Sequence, residues 1–307
     1  MTEATIDEKF KIIGCEDSDS EKIARPTMTY WQDAWRRLKS NRAAMISIVI
    51  LAILIIMTII GPHLTPYSHE EMIAEERNMG PSTKHWFGTD ELGRDIFTRV
   101  WKGGRVSILI GVIGALVASV VGCIYGGIAA YFGGIVDDIM MRIVEILVSI
   151  PYLIVVILIS VLTKSKGMGS VLLALCITGW CGTARLVRGQ ILQLKKKEFV
   201  MAAKALGVSS WKIITKHLIP NTLGIIIVSI TFDIPGFIFS EAFLSYIGLG
   251  VQSPDTSWGA MASAAQNNLL FYPYQLFFPA LMIALTMLTF SLLGDGLRDA
   301  LDPRLRQ

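Results

Sequence analysis

Apolar runs of about twenty residues recur along the chain between polar segments, and a helix needs a run of that length to cross about 30 Å of hydrocarbon. Six such runs stand out. The first is Ala43 to Gly61, and the second runs from about Val106 to Tyr131. The third, from about Asp138 to Val161, contains Pro151. It is predicted to be kinked rather than broken, because neighbouring helices can satisfy the carbonyl that proline frees. The fourth extends from about Gly169 to Leu186. The fifth, Thr222 to about Leu244, carries Asp233 and Pro235 in its middle, and the sixth covers about Leu276 to Leu293. The predicted fold class is an all-α membrane protein with six transmembrane helices.

Basic residues orient these spans, since short loops rich in Lys and Arg stay in the cytoplasm. Arg36, Arg37, Lys39 and Arg42 precede the first span. Eight Lys and Arg residues between Arg185 and Lys216 separate the fourth and fifth, and Arg298, Arg304 and Arg306 follow the sixth. An even number of crossings puts all three clusters on one side, so both termini are predicted to be cytoplasmic. Lys102 and Arg105 abut the second span on the outer side, but the long connection before them also holds Glu70, Glu71, Glu75, Glu76, Asp90, Glu91 and Asp95. Long loops translocate largely regardless of charge.

Composition agrees with residence in a membrane and narrows the chemistry. Of 307 residues, 52% are hydrophobic and 17% charged, too apolar for a soluble domain. A net charge of +3 provides no global basic field for nucleic acid. Cys15, Cys123, Cys176 and Cys181 form no CxxC pair, and His63, His69, His85 and His217 lack metal-ligand spacing. The polar stretch from Met1 to about Met28 has no apolar core of a cleavable signal, which makes the first span an expected uncleaved anchor.

Several features are candidates for function. Gly114, Ala118, Gly122, Gly126 and Ala130 form a ridge of small side chains in the second span, for contact with another subunit or within this bundle. Asp138, Arg142 and Glu145 stand at i, i+4 and i+7, so Arg142 can pair with either acid as a structural clamp or a gate element. Asp233 and Glu241 have no local basic partner. Asp233, beside Pro235, is the leading pathway candidate, the alternative being a buried hydrogen-bonded carboxyl. Asp90 and Trp258 fall on the outer face by alternation, where they suit a contact with an extracytoplasmic protein, although Trp at a membrane interface needs no partner.

The segment Glu198 to Asn221 reads as two short helices. The first, Phe199 to Leu206, stops at Gly207, and the second is capped by Ser209 or Ser210 and ends before Pro220. Trp211, Ile214 and Leu218 share one face of the second, with Lys212 and Lys216 on another. Ala202, Ala203 and Ala205 would let the first helix enter a groove on another protein, and the alternative is an interfacial helix on lipid headgroups.

This segment resembles the EAA loop of bacterial ATP-binding-cassette (ABC) importers: EAA, three residues, Gly, nine residues, Ile, any residue, Leu-Pro. Ala202, Ala203, Gly207 and Pro220 fall on that spacing, with Met201, His217 and Ile219 in place of the Glu, Ile and Leu. RRLKSNRAAMISIVIL before and in the first span, HWFGTDELGRDIFTRVWKGGRVSILIG before the second and EAFLSYIGLGVQSPDTSWGAM after the fifth resemble the C-type subunit of the peptide and nickel branch, the oligopeptide permease most of all.

The resemblance implies a type I ABC importer permease fold, divided into a cytoplasmic tail (1–42), a first span with a long extracytoplasmic loop (43–105), a permease core (106–296) with a coupling loop at about 187–221, and a cytoplasmic tail (297–307). It implies a second homologous permease subunit, two ATPase subunits docking around Glu198, Ala202, Ala203, Gly207 and Pro220, and an extracytoplasmic binding protein delivering a peptide, all in a bacterial cell membrane. No GxxxxGK[ST] loop occurs, so ATP and Mg are expected in the partner subunits, with no cofactor in this chain. Oligopeptides are the expected cargo, then dipeptides, with nickel chelates third. A secondary transporter would call for inverted repeats, of which none is convincing. A membrane-embedded enzyme would call for a nucleophile and base at one depth, and no predicted span holds a His.

Overall fold

The computed structural model of the chain describes residues 29–163 and 167–302. The polar N-terminal stretch with Cys15, and Arg304 and Arg306, lie outside the described residues. Among the described residues the regular structure is helical, with one isolated bridge between Thr89 and Asp95.

Helix α1 (Tyr30–Ser40) starts at a capping box in which the Gln32 side chain takes the Thr29 amide (3.0 Å). Its inner residues Ala34 and Leu38 are buried, Leu38 against Ala44 and Ala300. A single residue, Asn41, ends α1 and caps α2 (Arg42–Ile60) by accepting from the Ala44 amide (3.1 Å). The exposed end of α2 is closed from elsewhere. The Arg105 guanidinium donates to the carbonyls of Thr58 and Ile59, which explains a basic side chain at that level.

Helix α3 (Ile96–Phe132) begins ten residues before the predicted second span, because Asp95 caps it by accepting from the Thr98 amide (2.8 Å). The 37-residue helix is the spine of the bundle, lying along α6 (Met168–Leu194) and α9 (Ile219–Tyr246). The small-residue ridge serves contacts within the bundle. A Cβ on Gly122 would stand 2.7 Å from Cβ of Thr183, and one on Gly126 would collide with the Ala184 carbonyl.

The third span departs from expectation. It is broken, not kinked: α4 (Gly134–Ser149) and α5 (Tyr152–Thr163) meet at 84°. Ile150 is extended, as a residue before proline prefers to be, so the helix stops rather than bends.

A short helix α7 (Glu198–Ala205) follows α6, and then α8 (Ser210–Lys212), a π-helical turn (Ile213–Leu218) and α9 form one continuous rod. Pro220 therefore does not end a helix as predicted. In the π turn the Ile219 amide reaches back to Ile214, and this wider winding absorbs a residue that has no amide to give. Helix α10 (Trp258–Ala265) packs on α9 and α11 (Tyr274–Leu301), and α11 packs on α2 and α9. Among the described residues five helices are long and apolar enough to cross a membrane, and the broken pair makes up to six spans. Tyr30 donates its hydroxyl to the carbonyl of Leu301 (3.0 Å), so the start of the first span and the end of the last lie on the same side.

Candidate functional site

At the cytoplasmic end, α7 is seated from below. Val200 and Ala203 are buried with Ile191, Ile213, Ile214 and Leu218. Lys204 places its ammonium over the Tyr131 ring (4.8 Å), and Lys195 donates to the carbonyl of Ala130 (2.7 Å), so two cations hold α7 and its lead-in to the end of α3. The helix closes in the predicted way. Gly207 takes φ +74°, its amide bonds to the Lys204 carbonyl (3.0 Å) and the Val208 amide to Ala203 (3.1 Å), which is a Schellman motif.

Of the predicted docking residues, Glu198, Ala202, Gly207 and Pro220 are exposed, whereas Ala203 turns into the core. The outer face carries four large apolar side chains: Met201, at the motif's Glu position, and three that the motif did not single out, Phe199, Leu206 (83% exposed) and Trp211 (56%). Trp211 does not share the buried face of Ile214 and Leu218. Ile213 takes that place, because the π turn rotates the register. Large apolar residues exposed together in a polar segment are the signal that would have found this face.

Midway along the bundle, a cavity of about 280 Å³ is lined by Tyr152, Thr178, Gly179, Phe232, Asp233 and Ser240. Asp233 is half-buried and accepts from the Ser229 hydroxyl (3.3 Å). Tyr152, the first residue after the break, contributes to the same wall. Glu241, two turns on, does not line this cavity: it is fully buried, accepting from the hydroxyls of Ser107 (2.8 Å) and Ser245 (2.7 Å).

Of the two acids the sequence offered Arg142, the structure uses Glu145. Arg142 donates to Glu145 (2.7 Å) in an exposed pair, and Asp138 is exposed without joining it. The buried acid is its neighbour Asp137, which is gripped by Arg188 of α6. One residue is 100° around a helix, enough to move the acid from one face to the other.

On the outer side both Asp90 and Trp258 make hydrogen bonds within the chain. Trp258 is fully buried, its indole donating to the Val100 carbonyl (2.8 Å), and the preceding Ser257 caps α10 by accepting from the Ala260 amide (3.1 Å). A Ser before a run of small residues is a helix-start signal that bore on Trp258. Asp90 accepts from the amides of Leu92 (2.9 Å) and Arg94 (3.0 Å) and from Nε of Arg94 (2.7 Å), the self-closing turn to which Asp is prone. His85, 1% exposed, lies between Asp95 Oδ1 (2.9 Å) and Glu76 Oε2 (2.8 Å), and Lys84 pairs with the same Glu76. Arg99 donates to the His69 carbonyl (2.9 Å) and to Thr256 (3.1 Å), so the two outer loops are tied together.

Known proteins bear directly on this arrangement. Residues 118–307 match the family described as binding-protein-dependent transport system inner membrane component, and residues 29–81 match the N-terminal TM domain of oligopeptide transport permease C. A dipeptide transport system permease protein of Bacillus subtilis is 51% identical, with 98% of this chain and 94% of the relative covered. An oligopeptide transport system permease protein of the same organism is 46% identical over 97% of each chain. A chain in a structure of inward-facing conformations of the MetNI methionine ABC transporter superposes with a TM-score of 0.55. It covers 66% of this chain and 96% of the other at 18% identity, which speaks for the fold alone. The chain thus belongs to the binding-protein-dependent inner membrane components, as a multi-pass ABC importer permease of the oligopeptide and dipeptide type.

Proposed function

We propose that the chain is one half of a peptide-conducting pore, opened and closed by ATPase subunits that press on α7. The observation that carries this reading is the seat of α7. Lys204 on Tyr131 and Lys195 on the Ala130 carbonyl fix it to the end of α3, and α3 runs the height of the bundle. A displacement of α7 is therefore a displacement of the spine. The exposed Phe199, Met201, Leu206 and Trp211 supply an apolar contact, with Glu198, Ala202, Gly207 and Pro220 around it. ATP and Mg are bound by those partners, a second homologous permease completes the pore, and an extracytoplasmic binding protein delivers cargo. Alternating access is the mechanism, with Asp233 in the wall of the cavity as the pathway residue.

The cargo is a peptide. We take oligopeptides first, a reading supported by the N-terminal match and by the oligopeptide permease at 46% identity, and dipeptides second, supported by the relative at 51%. The test is uptake into proteoliposomes holding the co-expressed complex. ATP-dependent entry of a labelled pentapeptide, competed by unlabelled peptide and not by a nickel chelate, is expected. Entry driven by an ion gradient without ATP would sink the reading, and entry of dipeptides alone would reverse the order of cargoes.

A further inference from the structure

We infer that α1 lies along the cytoplasmic membrane surface and that its outer face binds anionic phospholipid headgroups. Depth is fixed first. Only Asn41 separates α1 from α2, whose apolar run begins at Ala43, so α1 sits at the boundary of the hydrocarbon layer. Its inner face is occupied, with Ala34 and Leu38 buried, Leu38 against the foot of α2 and α11, and Tyr30 bonded to Leu301. Eleven residues give about 16 Å of helix along that level.

The outer face then has the chemistry of an interface. Trp31 and Trp35, one turn apart, are 52% and 49% exposed, and Trp settles at the headgroup level of a bilayer. Lys39 extends the same row, with its ammonium 5.3 Å from the centre of the Trp35 ring. Arg36 and Arg42 are exposed beside it, while the one acid of the helix, Asp33, is taken by Arg37 (3.0 Å). The face is thus aromatic and cationic together, which complements a layer of phosphates over hydrocarbon. A protein groove would complement the tryptophans but has no reason to sit at the depth Asn41 imposes.

The test uses the full chain in nanodiscs of phosphatidylcholine with or without phosphatidylglycerol. The wild type is expected to retain phosphatidylglycerol over phosphatidylcholine through detergent washing. That ratio should fall about fivefold for each charge removed in R36Q and K39Q, and hold in R36K/K39R. Inorganic phosphate in the wash should leave it unchanged. Tryptophan emission lost in the W31F/W35F variant should be the fraction quenched by headgroup-proximal brominated lipid. A lipid ratio indifferent to R36Q/K39Q would overturn the proposal. So would quenching of Trp31 and Trp35 by aqueous iodide until ATPase subunits are added, which would assign the face to a protein.

Discussion

Arg188 grips Asp137 through two parallel hydrogen bonds, Nε to Oδ1 and Nη2 to Oδ2, both 2.6 Å. The pair joins the first turn of α4 to α6, just after the turn at Gly133 that ends α3, so it fixes how α4 leaves α3. The carboxylate is nearly enclosed while the guanidinium is a third exposed, which places the interaction between a surface pair and a buried one. Asp137→Asn and Arg188→Gln are each expected to lower stability by about 1 kcal/mol, and the double variant by less than the sum. Thermal melting of the four proteins in one detergent reads the coupling. Additive losses would remove the pair from the account.

Gly207 is held at φ +74° by the closing bonds of α7, with no atom within 4 Å of where a Cβ would stand. Strain, not crowding, is therefore what a side chain introduces there. Gly207→Ala is expected to cost about 1 kcal/mol locally, and Gly207→Asn less, since Asn tolerates the left-handed region. Both should accumulate in the membrane. Co-purification of ATPase subunits should weaken in the order Gly, Asn, Ala, and Gly207→Asp should lose them. Equal yields of partner from all four would detach this turn from docking.

These residues also show what a sequence discloses. The turn at Gly207 was legible because its geometry is local: a glycine after a helical stretch, closed by bonds that reach back three and five positions. The spans were legible because lipid demands unbroken apolar runs. Asp137 was missed in favour of Asp138 because its partner lies 51 positions away, and pattern alone does not fix which face of α4 meets α6. Trp258 was assigned to the surface for the same reason, its acceptor being 158 residues distant. Pro151 marked the position of the break, but 84° is set by packing on α6, not by proline itself.

Glu76 provides a pH dependence whose sign follows from its partners. The Lys84 ammonium and then the His85 ring hold its carboxyl below the ordinary value of 4.5. A group depressed in the folded state stabilises it above the unfolded pKa, and that contribution is lost as pH falls through the folded one. The loop from Ala74 to Asp95 should thus keep constant amide protection from pH 8 down to about 5, and lose it below about 4.5. Glu76→Gln should flatten that acid limb. Hydrogen exchange with mass spectrometry checks it, and protection that fades instead above neutral pH would contradict the pairing.

Asp233 and Glu241 share a helix and a charge type, yet their surroundings assign them opposite behaviour. Asp233 lines the 280 Å³ cavity and accepts from the Ser229 hydroxyl, whereas Glu241 is sealed between the hydroxyls of Ser107 and Ser245. Removing a carboxylate that lines a space costs little packing but changes what can occupy it. Removing one that satisfies two buried hydroxyls leaves both without an acceptor, at roughly 1–3 kcal/mol each. Asp233→Asn is accordingly expected to alter peptide uptake at least tenfold, equivalent to about 1.4 kcal/mol, with little change in melting temperature. Glu241→Ala should lower the melting temperature, and Glu241→Gln, which keeps an acceptor, should restore most of both stability and uptake. Uptake and melting measured on the same preparations separate the two roles. If Asp233→Asn melts early while transporting normally, the carboxyl belongs to the fold and the pathway must be sought elsewhere along the cavity wall.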